Sequence, residues 1–199
     1  MTTANASTET VKIWDPLIRV FHWSLVATFF VAYFTEGDWI NLHVNAGYIV
    51  SSLIGFRLIW GFIGPRYARF SQFFKSPAEV LSYIRQMREF NVPHYLGHNP
   101  AAAAMIFALL LSIIAISISG MSIIASEGHG PLAGTFFATL DTGWMKDIHE
   151  FFANFTVLLV ILHVSGVYFS SMLENENLPL AMVTGRKKFR DQAVDQLDS

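Results

Sequence analysis

Seven histidines and no cysteine define the chemistry open to this chain of 199 residues. Without cysteine there are no disulfides, no thiolate-held iron–sulfur clusters, no covalently attached haem and no cysteine zinc sites. A redox metal would have to hang on imidazole. Four of the histidines, His22, His43, His149 and His163, fall within or at the margins of strongly apolar stretches, while His94, His98 and His129 fall between them. A polar ring inside an apolar stretch is costly and is by default a functional-site hypothesis. Taken singly, such a histidine is more often a hydrogen-bonded residue between helices than a metal ligand. The spacing of the four changes that balance, and it depends on the elements that carry them.

With 53% apolar and 14% charged residues and a mean hydropathy of +0.42, the composition excludes an ordinary water-soluble surface. Eighteen Phe, six Tyr and five Trp need lipid or a large flat cofactor to pack against. Four apolar runs, at about 16–35, 41–63, 101–125 and 148–173, each approach the roughly 20 residues a helix needs to cross a ~30 Å hydrocarbon core. Asp15-Pro16 and Asn99-Pro100 read as helix starts, and Glu36-Gly37-Asp38 and Gly64-Pro65 as stops. Between the second and third runs, Pro77 to Ile84 reads as a short helix lying at the interface. The expected fold is therefore all-α, an integral membrane four-helix bundle over residues 12–190, flanked by polar tails at 1–11 and 191–199. Residues 1–11 lack a basic cluster and no small-residue cleavage site follows, so the first helix is expected to be retained.

The net charge of −2 conceals a strong asymmetry. Twelve of the thirteen basic residues (Lys12, Arg19, Arg57, Arg66, Arg69, Lys75, Arg85, Arg88, Arg186, Lys187, Lys188 and Arg190) fall on one side of the four runs. Lys146 alone joins Glu36, Asp38, Glu127, Asp141 and Asp147 on the other. The positive-inside rule then puts both termini in the cytoplasm. Trp14, Trp39, Trp60 and Trp144 fall near helix ends, where an amphipathic ring prefers the headgroups. Lipid is the expected surroundings, and nucleic acid is not an expected partner.

Depth now sorts the histidines. His22 lies about 9 Å below the cytoplasmic face, His43 and His149 near the outer face, and His163 fourteen residues beyond His149, which is ~21 Å along the same helix and about 40° from full register. The pairs are His22 with His163 and His43 with His149. Two imidazoles facing each other from separate helices form the axial arrangement that holds a non-covalent haem. Two haems at two depths would make a transmembrane electron path. Gly47, Gly120 and Gly166 sit where a small residue lets a porphyrin or a helix approach, and ordinary helix packing explains any one of them as well. Arg57 and Arg19 could each meet a haem propionate or a polar quinone group, or could reach out to the headgroups. His94, His98 and His129 are expected to be surface or capping residues, with His98 near enough to the third helix to stand beside the cytoplasmic pair.

Several motifs carry a resemblance: DPLIRVFHW at 15–23, RLIWGFIGPRYARF at 57–70, YLGHNP at 95–100, the HE start and LHVSG continuation of the fourth helix, and ENLPLAMVTGRK at 176–187. In this order they resemble the bacterial di-haem b-type cytochromes of the cytochrome b561 and nickel–iron hydrogenase cytochrome b subunit family, over about residues 12–190. The resemblance implies a four-helix core, two bis-His haem b groups on His22, His43, His149 and His163, and electron exchange between an outer-face partner and a membrane quinone. Hydrogenase-linked members carry an additional long segment that this chain lacks, which leaves three redox roles open. They are quinone-linked transfer with a periplasmic protein such as a c-type cytochrome, a stand-alone activity toward superoxide or another small substrate at the outer haem, and a hydrogenase membrane subunit. The acidic outer loops would repel superoxide and favour a basic protein. A non-redox metal or proton transporter would bind no haem. A quinone taking protons from the cytoplasm would need a polar pocket, with Arg19, Arg57, His98 and Lys188 as its candidates, and a pocket at the outer face is the alternative.

Overall fold

A computed structural model of the protein describes residues 10–89, 93, 95 and 97–188. The tails at 1–9 and 191–199, and His94 and Arg190, lie outside the described residues, as does the side chain of Lys188. The elements run β1 (Thr10–Lys12), α1 (Pro16–Phe34), α2 (Ile40–Ile63), α3 (Pro77–Arg88), α4 (Pro100–Ser126), α5 (Thr142–Glu174), α6 (Leu178–Thr184) and β2 (Arg186–Lys188), with short 3₁₀ turns at Arg66–Ala68, Phe70–Gln72 and Phe136–Thr139. The protein is all-α in character. Helices α1, α2, α4 and α5 are each long and apolar enough to cross a membrane.

The start signals act as their chemistry requires. The Asp15 carboxylate accepts from the N–H groups of Leu17 and Ile18, and the Asn99 side-chain amide oxygen (Oδ1) from that of Ala102. Both satisfy amides that the first turn of a helix leaves over. Helix α5 starts six residues before the apolar run suggests, because Asp141 caps it by accepting from Trp144 N–H at 2.9 Å and the turns that follow are polar. Helix α3 runs to Arg88, beyond the expected Ile84, behind a Ser76/Glu79 capping box.

The chain divides into two compact units, and each long helix contributes residues to both. The first comprises residues up to Val20, Trp60–Ala104 and His163 onward. Its core includes Ile13, Phe73, Tyr83, Ala103 and Ala181. Here β1 pairs antiparallel with β2, Thr10 opposite Lys188 and Lys12 opposite Arg186, so Thr10 and Val11, counted from the sequence with the tail, form part of a strand. Gly185 ends α6 at φ 81° and presents its carbonyl to the N–H groups of Ile13 and Trp14. Lys187 is buried, its Nζ within 3.3 Å of Glu174 and 3.7 Å of Glu176 and donating to the Tyr95 carbonyl at 2.9 Å.

The second unit, Phe21–Ile59 with Met105–Leu162, is built from segments of all four long helices. Tyr33 on α1 donates to Asn154 on α5 at 2.9 Å, the fully buried Thr156 of α5 lies 2.6 Å from Ser112 of α4, and Phe21 packs on Phe56 of α2. Polar bonds between apolar helices hold such bundles together where no hydrophobic effect separates helix from lipid.

Candidate metal centre

Within the second unit, α2 and α5 bring His43 and His149 together. Their ring centroids are 5.9 Å apart with planes at 70°. A metal–imidazole bond is about 2 Å, so two rings flanking one metal ion stand about 6 Å apart centre to centre. Each ring is anchored at its Nδ1: His43 to the Ala32 carbonyl of α1 at 2.8 Å, His149 to the Ile116 carbonyl of α4 at 3.0 Å. A carbonyl can only accept, so Nδ1 carries the hydrogen in both rings and the Nε2 lone pair is left for a metal. An N–H bonded to a carbonyl also fixes ring orientation and raises the basicity of the ligating nitrogen. The pair has the separation, the tautomer and the outer support that axial ligation asks for.

Two ligands do not complete a coordination sphere, and the described residues hold no group of three or more His, Asp or Glu suited to a bare ion. A macrocycle supplying the remaining donors suits the pair better. Gly47, one turn from His43, has nothing within 4 Å of where a Cβ would stand.

The other candidates are placed individually. His22, half-buried on α1 in the same unit, lies edge-on to Trp23 with centroids 5.0 Å apart. His163 is half-buried on α5 and belongs to the first unit, where Gly166 again has open space around it. Arg57 is only 5% exposed, which directs its guanidinium into the protein and not out to headgroups. Arg19 donates from Nη1 to the Val183 carbonyl at 2.7 Å, closing α6, and its buried Nε finds no hydrogen-bond partner among the described residues. His98 is held between Trp14 and Phe73 at 4.5 and 4.4 Å, an aromatic packing site in the first unit. His129 lies exposed in the loop after α4. Sequence reasoning could not supply the carbonyls of Ala32 and Ile116, since every residue has one and only tertiary packing selects it.

Four helices long and apolar enough to cross a membrane, with an imidazole pair 5.9 Å apart whose Nδ1 atoms meet backbone carbonyls, suit a membrane redox protein of the b-type cytochrome class. The chain belongs to the prokaryotic cytochrome b561 family, whose model matches residues 13–185. It is an electron-transfer cytochrome of the membrane, and the family implies haem b. Among curated relatives, it is similar to probable Ni/Fe-hydrogenase B-type cytochrome subunits of Rhodobacter capsulatus (22% identity, covering 93% of this chain and 84% of the relative), Bradyrhizobium diazoefficiens (24%, 92% and 87%) and Cupriavidus necator (25%, 94% and 92%). No solved structure matches the chain.

Proposed function

We propose that the protein moves electrons across the bacterial inner membrane through two bis-His haem b groups, linking a periplasmic redox protein, such as a c-type cytochrome, with the membrane quinone pool. His43 and His149 hold the outer haem and His22 and His163 the cytoplasmic one. The observation that carries this reading is the His43–His149 pair, 5.9 Å apart with both Nδ1 atoms committed to backbone carbonyls. Its cytoplasmic counterpart rests on the matching depths of His22 and His163. Haem bound at these rings supplies reversible one-electron chemistry. The chain's own residues do the rest. Ala32 and Ile116 orient the outer imidazoles, the buried Arg57 offers positive charge to a propionate or quinone oxygen, and Arg19, His98 and Lys188 provide polar groups for a cytoplasmic quinone pocket.

With twelve of thirteen basic residues on the terminal side, both termini face the cytoplasm. The measurement that tests the reading is a pyridine haemochrome count on the purified chain. Two b haems are expected, and one or none sinks the proposal. His43→Ala and His149→Ala should each remove one haem, the same one spectroscopically, and loss of different haems would break the pairing.

A hydrogenase subunit is the second reading, favoured by the names of the relatives. Against it, the matches to Rhodobacter capsulatus and Cupriavidus necator extend over 223 and 231 positions, more than the 199 residues here, so those relatives carry insertions this chain lacks. Reduction of the haems by hydrogen in membranes that contain a hydrogenase, abolished by deleting this chain, would favour it over transfer to a periplasmic cytochrome.

A further inference from the structure

Helix α4 carries none of the four histidines, yet one turn of it meets the His149 ring in three ways. The Ile116 carbonyl accepts from Nδ1 at 3.0 Å, and the Ser119 hydroxyl stands 3.3 Å from the same nitrogen. At Gly120 a Cβ would come within 2.9 Å of the ring's Cε1 and 3.1 Å of Nδ1, closer than two such atoms can pack without one of them moving. Any side chain at position 120 therefore displaces the imidazole. The Ser119 oxygen lies 2.7 Å from the Ala115 carbonyl and 3.1 Å from that of Ile116. Its single hydrogen goes to one of these, which leaves a lone pair toward the His149 N–H. That N–H is thus shared between a carbonyl and a hydroxyl. His43 has a simpler anchor, the Ala32 carbonyl at 2.8 Å.

We propose that the Ile116–Gly120 turn of α4 is a positioning clamp for His149: Gly120 fixes the plane of the imidazole, and Ser119 tunes the electron density at its Nε2 by taking part of the Nδ1 hydrogen bond. This rests on the reading of His43 and His149 as the axial pair of the outer haem. The clamp sets the two ligands apart. It keeps the ring planes at 70°, where an unrestrained His149 could turn about its side-chain bonds, and it holds one ligand more tightly than the other. In a low-spin ferric haem, the angle between the axial imidazole planes governs the g anisotropy, and the basicity of the ligating nitrogens governs the potential. Ser119 and Gly120 are positioning residues, acting through His149.

The test uses the purified full-length holoprotein and three variants, read by haemochrome count, by electron paramagnetic resonance of the oxidised haems and by potentiometric titration. Gly120→Ala should shift the resonance of one haem, or remove that haem alone, and leave the other unchanged. Ser119→Ala, which introduces no new contact, should keep both haems and displace the midpoint of the same one. Ser122→Ala is the control, since among the described residues that equally buried hydroxyl bonds only to Ile118 in its own helix at 2.8 Å, and it should move neither signal. Wild-type resonances and midpoints in both Gly120→Ala and Ser119→Ala, or equal shifts in both haems, overturn the clamp. If Gly120→Ala does not fold, Ser119→Ala decides. His149→Ala keeps the underlying reading separately testable. Retention of two haems in it defeats the axial assignment, whereas loss of one haem beside silent Ser119→Ala and Gly120→Ala variants defeats only the clamp.

Discussion

In the proposed axial pair the two nitrogens of His43 and of His149 would have separate tasks, Nε2 for the metal and Nδ1 for a backbone support. Ala32 and Ile116 offer carbonyl oxygens that no side-chain substitution can remove, so the Nδ1 anchors of His43 and His149 move only if α1 or α4 moves. Arg57 is different, because its contribution is a charge that can be deleted. Sequence alone leaves it free to reach the headgroups, whereas its 5% exposure encloses the guanidinium in the protein. An enclosed positive charge favours the reduced form of a nearby haem. Arg57→Gln keeps hydrogen-bonding capacity and removes the charge, so it should lower the midpoint of the cytoplasmic haem by on the order of 50 mV, equivalent to about 1 kcal/mol for one electron. Redox titration of the variant checks this, and two unchanged midpoints would remove Arg57 from the haem environment. Thr156 gives a purely structural prediction. It is fully buried and 2.6 Å from Ser112, and interhelical bonds of this type contribute about 1 kcal/mol in membrane bundles. Ser112→Ala should lower stability in detergent by about that amount and leave the haem count at its wild-type value.

At the scale of elements, α3 and the closing segment show what patterning conveys and what it hides. Ser76 accepts from Glu79 N–H at 3.2 Å while Glu79 accepts from Ser76 N–H at 2.6 Å, a capping box legible from Ser76-Pro77-Ala78-Glu79 alone. Ser76→Ala should cost α3 about 1 kcal/mol. The bond from the Ser76 backbone holds the Glu79 carboxyl below its ordinary value. A lowered folded value means that the contribution is fully present above the ordinary carboxylate range and is lost as pH falls through the lowered one. Amide protection in α3, taken relative to the intrinsic exchange rate at each pH, should therefore fall in acid, and more in wild type than in Glu79→Gln, which has no carboxylate to protonate. The spans, the caps at Asp15 and Asn99 and the four histidines can all be read from hydropathy and spacing, because each is a local pattern. The β1–β2 pairing cannot, since three-residue strands 174 or more positions apart carry no periodicity. Nor does any local signal mark Lys187 as buried, one of several basic residues in a row. Its burial against Glu174 and Glu176 fixes the closing strand to the end of α5. Lys187→Met would leave two enclosed carboxylates short of their cation, a change that typically costs about 3–5 kcal/mol, and should loosen the strand and expose it to proteolysis.

On the scale of the whole molecule, the proposed function depends on a vector: electrons would enter at one face and leave at the other, and the charge distribution would label the faces. If all four long helices cross, the two ends of the chain lie on the same side whatever the charges are, and under the positive-inside rule the twelve basic residues would choose which side that is. Reporter fusions that work only in the cytoplasm should be active after residue 199 and inactive within the loop between α4 and α5. The opposite face carries Glu36, Asp38, Glu127, Asp141 and Asp147 against the single Lys146. A surface of one predominant sign raises the encounter rate of an oppositely charged partner, and salt screens that attraction over about 10 Å at 0.1 M. If the outer haem exchanges electrons with a diffusing protein, the rate with a basic c-type cytochrome should fall steeply with ionic strength, and the rate with an acidic one should rise or stay flat. Glu127→Gln with Asp38→Asn should flatten the slope for the basic partner and leave the haem midpoints in place, because both are exposed carboxylates in turns outside the helices. Stopped-flow reduction across a salt series reads both slopes. A salt-independent rate with the basic cytochrome would show that the acidic loops do not guide the partner, and would turn the search toward a permanently bound subunit.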